Sequence, residues 1–184
     1  GTSSLTAALK ILGIKSIHDS EKIKKLIKYE RVNGLKILSS LNEYTAFLDY
    51  PIYQIFQELD REYTNSKFIL TTRNFDSWLR SKKQHTIRAN KDPFSKSNIA
   101  ININEKKWKN LYFKHHKEVQ EYFKNRPDDI LNINIVDGDG WEKLCDFLHM
   151  PVQSTNFPKR NTKHKAKVTL FLKRIKFFTK NFKF

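Results

Sequence analysis

The stretch KFILTTRNFDSWLRS, residues 67–81, changes period in the middle. Lys67 to Thr72 is a continuous apolar run of the kind found in strands buried on both faces of a parallel sheet. Arg73 marks its carboxyl end, and Asn74 to Gln84 then takes a helical period with Phe75 and Trp78 inward. A strand running straight into a helix is half of a βαβ unit, so the neighbouring segments should alternate in the same way.

They do. Upstream, Tyr44–Leu48 (YTAFL) reads as a short buried strand that ends at Asp49, and Pro51 suits the start of a helix over Ile52–Tyr63 with Ile52, Ile55, Phe56 and Leu59 on one face. Further back, GTSSLTAALKILG (residues 1–13) keeps Leu5, Ala8, Leu9 and Leu12 at helical spacing and stops at Gly13. A short strand follows at Lys15–His18. Ser20-Glu21 opens a basic helix with Ile23, Leu26 and Ile27 apolar, Gly34 interrupts it, and a second helical piece is expected through Leu35, Ile37, Leu38 and Leu41. Downstream, His85 to Ala100 turns polar around Asp92-Pro93 and reads as a loop that orders on binding. A long helix, Asn104 to Lys124, then carries Trp108, Leu111, Tyr112, His115, Val119 and Tyr122 at core spacing. Ile130–Ile135 is a further strand, and GDGWEKLCDFLH, residues 138–149, a further helix.

The expected fold is therefore α/β: three layers, with a central parallel sheet covered by helices on both faces. Ligands of such sheets sit at the carboxyl ends of the strands. The GTSS turn, Asp49 and Arg73 all fall there.

A chain of 184 residues with three Trp, seven Tyr and fourteen Phe has enough core-forming residues to fold as one domain. Its single cysteine, Cys145, makes no internal disulfide, and no Cys/His spacing suggests a zinc site, so no metal is expected. No apolar run approaches the roughly 18 residues of a membrane span, and no signal-peptide pattern stands at Gly1. The expectation is a reduced, cytosolic setting. The net charge of +16 is uneven: Lys159–Phe184 holds ten Lys or Arg and no Asp or Glu. Such a tail suits nucleic acid, an anionic membrane or an acidic polysaccharide, and charge alone does not choose among them. Within it, KVTLFLKRIKFFTKNFKF (residues 167–184) reads either as an amphipathic helix on an anionic surface or as a last helix packed on the domain.

A hydroxyl-rich turn entering a helix presents backbone N–H groups and the positive end of the helix dipole, which suits phosphate or sulfate. The same Gly1-Thr2-Ser3-Ser4 is also an ordinary helix cap. Arg73 can clamp a phosphate bidentately with a hydroxyl from Ser81, eight residues on, or stand solvated at a strand end. Asp49 is a candidate base or a helix cap. His18, His85, His115 and His116 are rivals, with His85 foremost because it lies beyond Arg73 and Ser81.

Four stretches together resemble the sulfotransferase superfamily. They are GTSSLTAALKILG, similar to the phosphosulfate loop K-T-G-T-[TS]-S-L; the segment from Phe47 to Ser81; VDGDGWEKLCDFLHMPV, residues 136–152; and NFPKRN, residues 156–161. The resemblance implies a P-loop-like fold over residues 1–165, a basic segment 166–184 beyond it, and 3'-phosphoadenosine 5'-phosphosulfate (PAPS) as sulfuryl donor. It implies that Gly1, Thr2, Ser3, Ser4 and Leu5 surround the 5'-phosphosulfate and that Arg73 and Ser81 hold the 3'-phosphate. Lys159 and Arg160 resemble, by position, a basic loop that closes over that phosphate. Asp49 stands in the D-x-P setting where the superfamily carries its catalytic base. The acceptor implied is a hydroxyl or amine compound such as a glycan or small molecule, with no specific nucleic acid as partner. The family's loop also has a Lys two positions before its first Gly and a buried strand before that, so a first strand upstream of Gly1 is expected. The bare motifs leave two other readings open: a P-loop nucleotide kinase or NTPase, and a non-catalytic basic module for polyanions or anionic membranes.

Overall fold

The computed structural model describes residues 1–18, 20–91 and 102–159. They form two compact units, Gly1–Ser66 with the described residues from Gly140 onward, and the described residues of Lys67–Asp139.

In the first unit, α1 (Thr2–Ile11) buries Leu5, Ala8 and Leu9. Gly13, at φ +77, lets the chain reverse while the Ile14 N–H closes on the Leu9 carbonyl at 2.9 Å. β1 (Ser16–Ile17) therefore returns alongside α1 and pairs in parallel with β2 (Ala46–Phe47), Ile17 opposite Phe47. Between them α2 (Ser20–Val32) turns Ile23 and Ile27 into a core shared with Ile17, Ile37, Leu38, Leu41 and Leu59.

Two expected helices of this unit are corrected. Leu35–Leu41 is helical only as a 3₁₀ turn over Ser39–Leu41, because Leu38 takes the left-handed conformation at φ +66. A buried carboxylate holds that corner: Glu30, fully enclosed, accepts from the Leu38 N–H at 2.6 Å and the Ser40 N–H at 2.9 Å. The helix over Ile52–Tyr63 breaks at Ile55 into a 3₁₀ turn (Ile52–Gln54) and α3 (Phe56–Glu62). Near its end α6 (Trp141–Leu148) buries Trp141, Leu144 and Cys145, and Trp141 stacks edge-on against Phe157 at 4.9 Å.

In the second unit β3 (Phe68–Thr71) pairs in parallel with β4 (Ile130–Ile133), Phe68 opposite Ile130. α4 (Phe75–Asn90) follows β3 and extends through His85 to Asn90, so the first part of the expected loop is helix and its remainder, 92–100, lies outside the described residues. α5 (Glu105–Phe123) packs Trp108, Val119 and Phe123 inward, whereas Leu111 is half exposed and so not the core residue its spacing suggested. A cluster of Phe75, Trp78 and Tyr112 joins α4 to α5, with Tyr112 5.0 Å from Trp78 and 5.3 Å from Phe75.

Parallel pairing and alternation are as expected, and the architecture is α/β. The described strands form two two-stranded ladders, β1–β2 in the first unit and β3–β4 in the second. No helix among the described residues is long and apolar enough to cross a membrane.

Two outcomes follow from this packing. Glu30→Ala leaves the turn's amides without their acceptor and should lower unfolding free energy by about 3 kcal/mol in urea titrations, with Glu30→Gln losing less. The second concerns His115. Burial, and then the adjacent His116, hold its pKa below the ordinary 6.5, with Glu118 opposing. The unfolded chain then binds more protons than the folded one as pH falls below that value, so stability should be full above it and decline beneath it. His115→Gln should flatten the decline in denaturation midpoints taken between about pH 7.5 and 5.5.

Candidate active site

In the first unit the reversal at Gly13 sets the amino end of α1 at the same end as the carboxyl ends of β1 and β2. There Gly1 is the helix cap: its carbonyl accepts from the Ser4 and Leu5 amides, both at 3.0 Å. The cap uses backbone alone, with no side-chain cap bond, and Thr6 Oγ1 bonds back to the Thr2 carbonyl at 2.8 Å. The amides of Thr2 and Ser3 precede the first intrahelical bond, at the positive end of the dipole. Ser4 and Leu5 are buried under this turn.

Asp49 stands two residues beyond β2, after the buried Leu48, and is exposed, in the left-handed conformation at φ +72. Its Oδ1 accepts from the Tyr50 N–H at 2.9 Å, and the 3₁₀ turn beyond begins without a side-chain cap. The capping role is therefore not realised. Tyr53 lies one turn on, and its hydroxyl pKa is raised by burial and by the nearby Tyr50 and Asp49. His18, after β1, shares this end of the unit and is exposed.

In the second unit Arg73 stands between β3 and α4, half-buried. Asn74 caps α4 by accepting from the Ser77 N–H at 3.2 Å. The Arg73 side chain curls over that first turn and its Nε donates to Ser77 Oγ at 2.8 Å. Behind it, the Tyr112 hydroxyl donates to the Arg73 carbonyl. His116 Nδ1 lies 2.8 Å from the Tyr112 carbonyl, leaving a buried Nε2 with no hydrogen-bond partner among the described residues. The guanidinium is thus fixed along its Nε edge, while Nη1 and Nη2 take no hydrogen-bond or ion-pair partner among the described residues. That leaves the edge a phosphate or sulfate accepts in bidentate fashion.

Ser77, Ser81 and His85 follow one another at four-residue steps along α4 and form a stripe that starts at Arg73. Ser81 and His85 are exposed on it. At a rise of 1.5 Å per residue His85 stands about 12 Å beyond Ser77 along the helix. Ser77 was not singled out from the sequence, although the spacing Arg-x-x-x-Ser-x-x-x-Ser carries the signal. Tyr112 was taken for a core aromatic, and its hydroxyl contact with Arg73 has no sequence signature. His115 and His116 belong to the packing of α5.

Lys159 is exposed at the end of a segment tied to α6: the Trp141 indole N–H donates to the Thr155 carbonyl at 2.6 Å, and Phe157 covers Gly140. Arg160 and the basic tail 166–184 lie outside the described residues.

Chemically, the first unit offers a helix amino terminus and a carboxylate at one end, and the second an oriented guanidinium flanked by hydroxyls. Anion binding and proton abstraction are within their reach. The chain is similar to the Ava biosynthesis cluster protein M of Aspergillus versicolor, 26% identical over 199 residues that take in 86% of this chain and 75% of that protein. The model of the sulfotransferase domain matches residues 1–102 and 94–166. The chain belongs to the sulfotransferase domain family.

Proposed function

We propose that this protein transfers a sulfuryl group from PAPS to a hydroxyl or amine acceptor, using a P-loop-like three-layer fold over residues 1–165 with a basic tail at 166–184. The observation that carries the reading is the clip between Arg73 Nε and Ser77 Oγ, which holds the outer guanidinium edge ready for a dianion. A hydroxyl that accepts from Nε keeps its own proton to donate, so Ser77 and Ser81 add neutral donors beside the charge. Membership of the sulfotransferase domain family supports a donor of this class.

PAPS supplies the sulfuryl group, its bridging oxygen departing as phosphate. For this chain's residues the reading is as follows. The amino end of α1, from Gly1 to Leu5, receives the phosphosulfate and stabilises charge that develops on the leaving oxygen. Arg73, Ser77 and Ser81 hold the 3'-phosphate, and Lys159 with Arg160 adds positive charge for it. Asp49, exposed just beyond β2 and bonded through Oδ1 to the Tyr50 N–H, takes the acceptor proton. His85 is its rival. A cytosolic setting would supply the donor.

Calorimetry with 3'-phosphoadenosine 5'-phosphate (PAP) tests the donor site. Arg73→Ala should weaken PAP by about tenfold to a hundredfold, and Ser77→Ala by about tenfold or less. Neither should change affinity for adenosine 5'-phosphosulfate, which lacks the 3'-phosphate. PAP binding indifferent to Arg73 would sink the assignment. For the base, Asp49→Asn should cut kcat by about a hundredfold or more with PAP affinity unchanged, and His85→Gln should not.

A further inference from the structure

Helix α2 presents more than its core face. Lys24, Lys28 and Arg31 recur at steps of four and three residues, which stacks them along one side of the helix over about 10 Å. Opposite them stand Tyr50, Pro51 and Ile55, and between the two walls runs an open groove of about 430 Å³. That volume lies within the roughly 300–1,000 Å³ of small-molecule sites.

The cations are held in different ways. Lys24 Nζ lies 3.0 Å from Glu21 Oε1 and 6.0 Å from the centre of the Tyr50 ring. Arg31 Nη2 meets Glu58 Oε2 at 2.5 Å. Lys28, in the middle, has no carboxylate partner among the described residues. Neither Glu21 nor Glu58 lines the groove, so its helix wall presents Lys28 between two ion-paired cations and its far wall an exposed aromatic ring beside Pro51 and Ile55. Asp49 does not line the groove but precedes Tyr50 of its far wall and accepts the Tyr50 N–H through Oδ1, which keeps that carboxylate next to the wall.

We infer that this groove is the acceptor site and that the acceptor is an acid: a hydroxylated molecule whose carboxylate or sulfate meets Lys28 while its ring lies on Tyr50. The inference rests on Asp49 being the base, because that carboxylate is what places a hydroxyl of the bound molecule at the reacting end. Lys28 is exposed, so a neutral acceptor leaves its ammonium to water. An anionic one meets Lys28 directly and draws on Lys24 and Arg31 at either side. A sugar acid and a phenolic acid share this chemistry, and the probes must tell them apart.

The test titrates the full chain, with and without PAP, using unsulfated chondroitin disaccharide and 4-hydroxyphenylacetate as acids. Lactose and 4-hydroxyphenylethanol are their neutral counterparts. One acid should bind in the millimolar range or tighter, more weakly as salt rises, and its neutral counterpart about tenfold more weakly. Whichever acid binds identifies the ring. Lys28→Glu should weaken that acid by about tenfold, while Lys117→Glu, the same charge change on α5, leaves it alone. Equal losses from the two variants would reduce the effect to net charge and overturn the inference. A chain that binds PAP but neither acid overturns the groove alone. One that binds the acid through Lys28 but never PAP overturns the donor reading, and the acceptor role with it.

Discussion

Parallel strands cannot be joined by a tight turn, so each must be followed by a segment that carries the chain back before the next begins. In this protein that requirement is met twice, between β1 and β2 by α2 and the corner at Leu38, and between β3 and β4 by α4 and α5. It fixes where reactive side chains stand. Whatever residue follows a strand is thrown out at the carboxyl end, in backbone that has left the ladder and has not yet entered a helix. Asp49 and Arg73 occupy such positions, one after β2 and the other after β3.

The carboxylates are used in opposite ways. Glu30 is wholly enclosed, and its oxygens are taken up by the amides of a turn that would otherwise have no acceptor. A buried charge of that kind is tolerable only when its lone pairs are filled, and it then holds one backbone path rather than reacting. Asp49 has a single local amide contact through Oδ1 and faces water. One acid is built into the fold and the other is presented by it. Both lie in the same unit, so the difference comes from burial and not from residue type.

Much of this was legible in the sequence where a single period governs a segment. Leu5, Ala8 and Leu9 give α1, and Phe68–Leu70 gives β3, because burial on one face or on both leaves a local signature. The period fails where a distant side chain decides the backbone. Leu35–Leu41 has helical spacing, yet Glu30, eight residues before Leu38, holds the corner in a conformation no local pattern announces. Ile52–Tyr63 has one apolar face and still breaks at Ile55, whose φ of −116 leaves the helix between two turns. In the candidate site, Arg73 and Asp49 were singled out at strand ends and Ser81 by its spacing from Arg73, and the family resemblance implied their roles. Ser77 and Tyr112 were not, because what matters about them is the atom they touch on Arg73. Which strand meets which in the two ladders is likewise something that composition does not record.

The choice of arginine at position 73 follows from the same contacts. Its guanidinium has an Nε edge and an Nη edge in one plane, so it can be fixed on one side and still offer two parallel donors on the other. Ser77 takes the Nε edge, and the Tyr112 hydroxyl holds the main chain from behind. A lysine there would have one nitrogen for both tasks, and a bond to Ser77 would use part of what the anion needs. The orientation also lowers the entropy lost when an anion docks, because the rotamer is already set by an intramolecular bond. Ordinary surface arginines hold neither edge, and many bind nothing measurably. The hydroxyl four residues on is therefore what gives a cation at a strand end one fixed orientation, the feature on which the proposed reading of Arg73 rests.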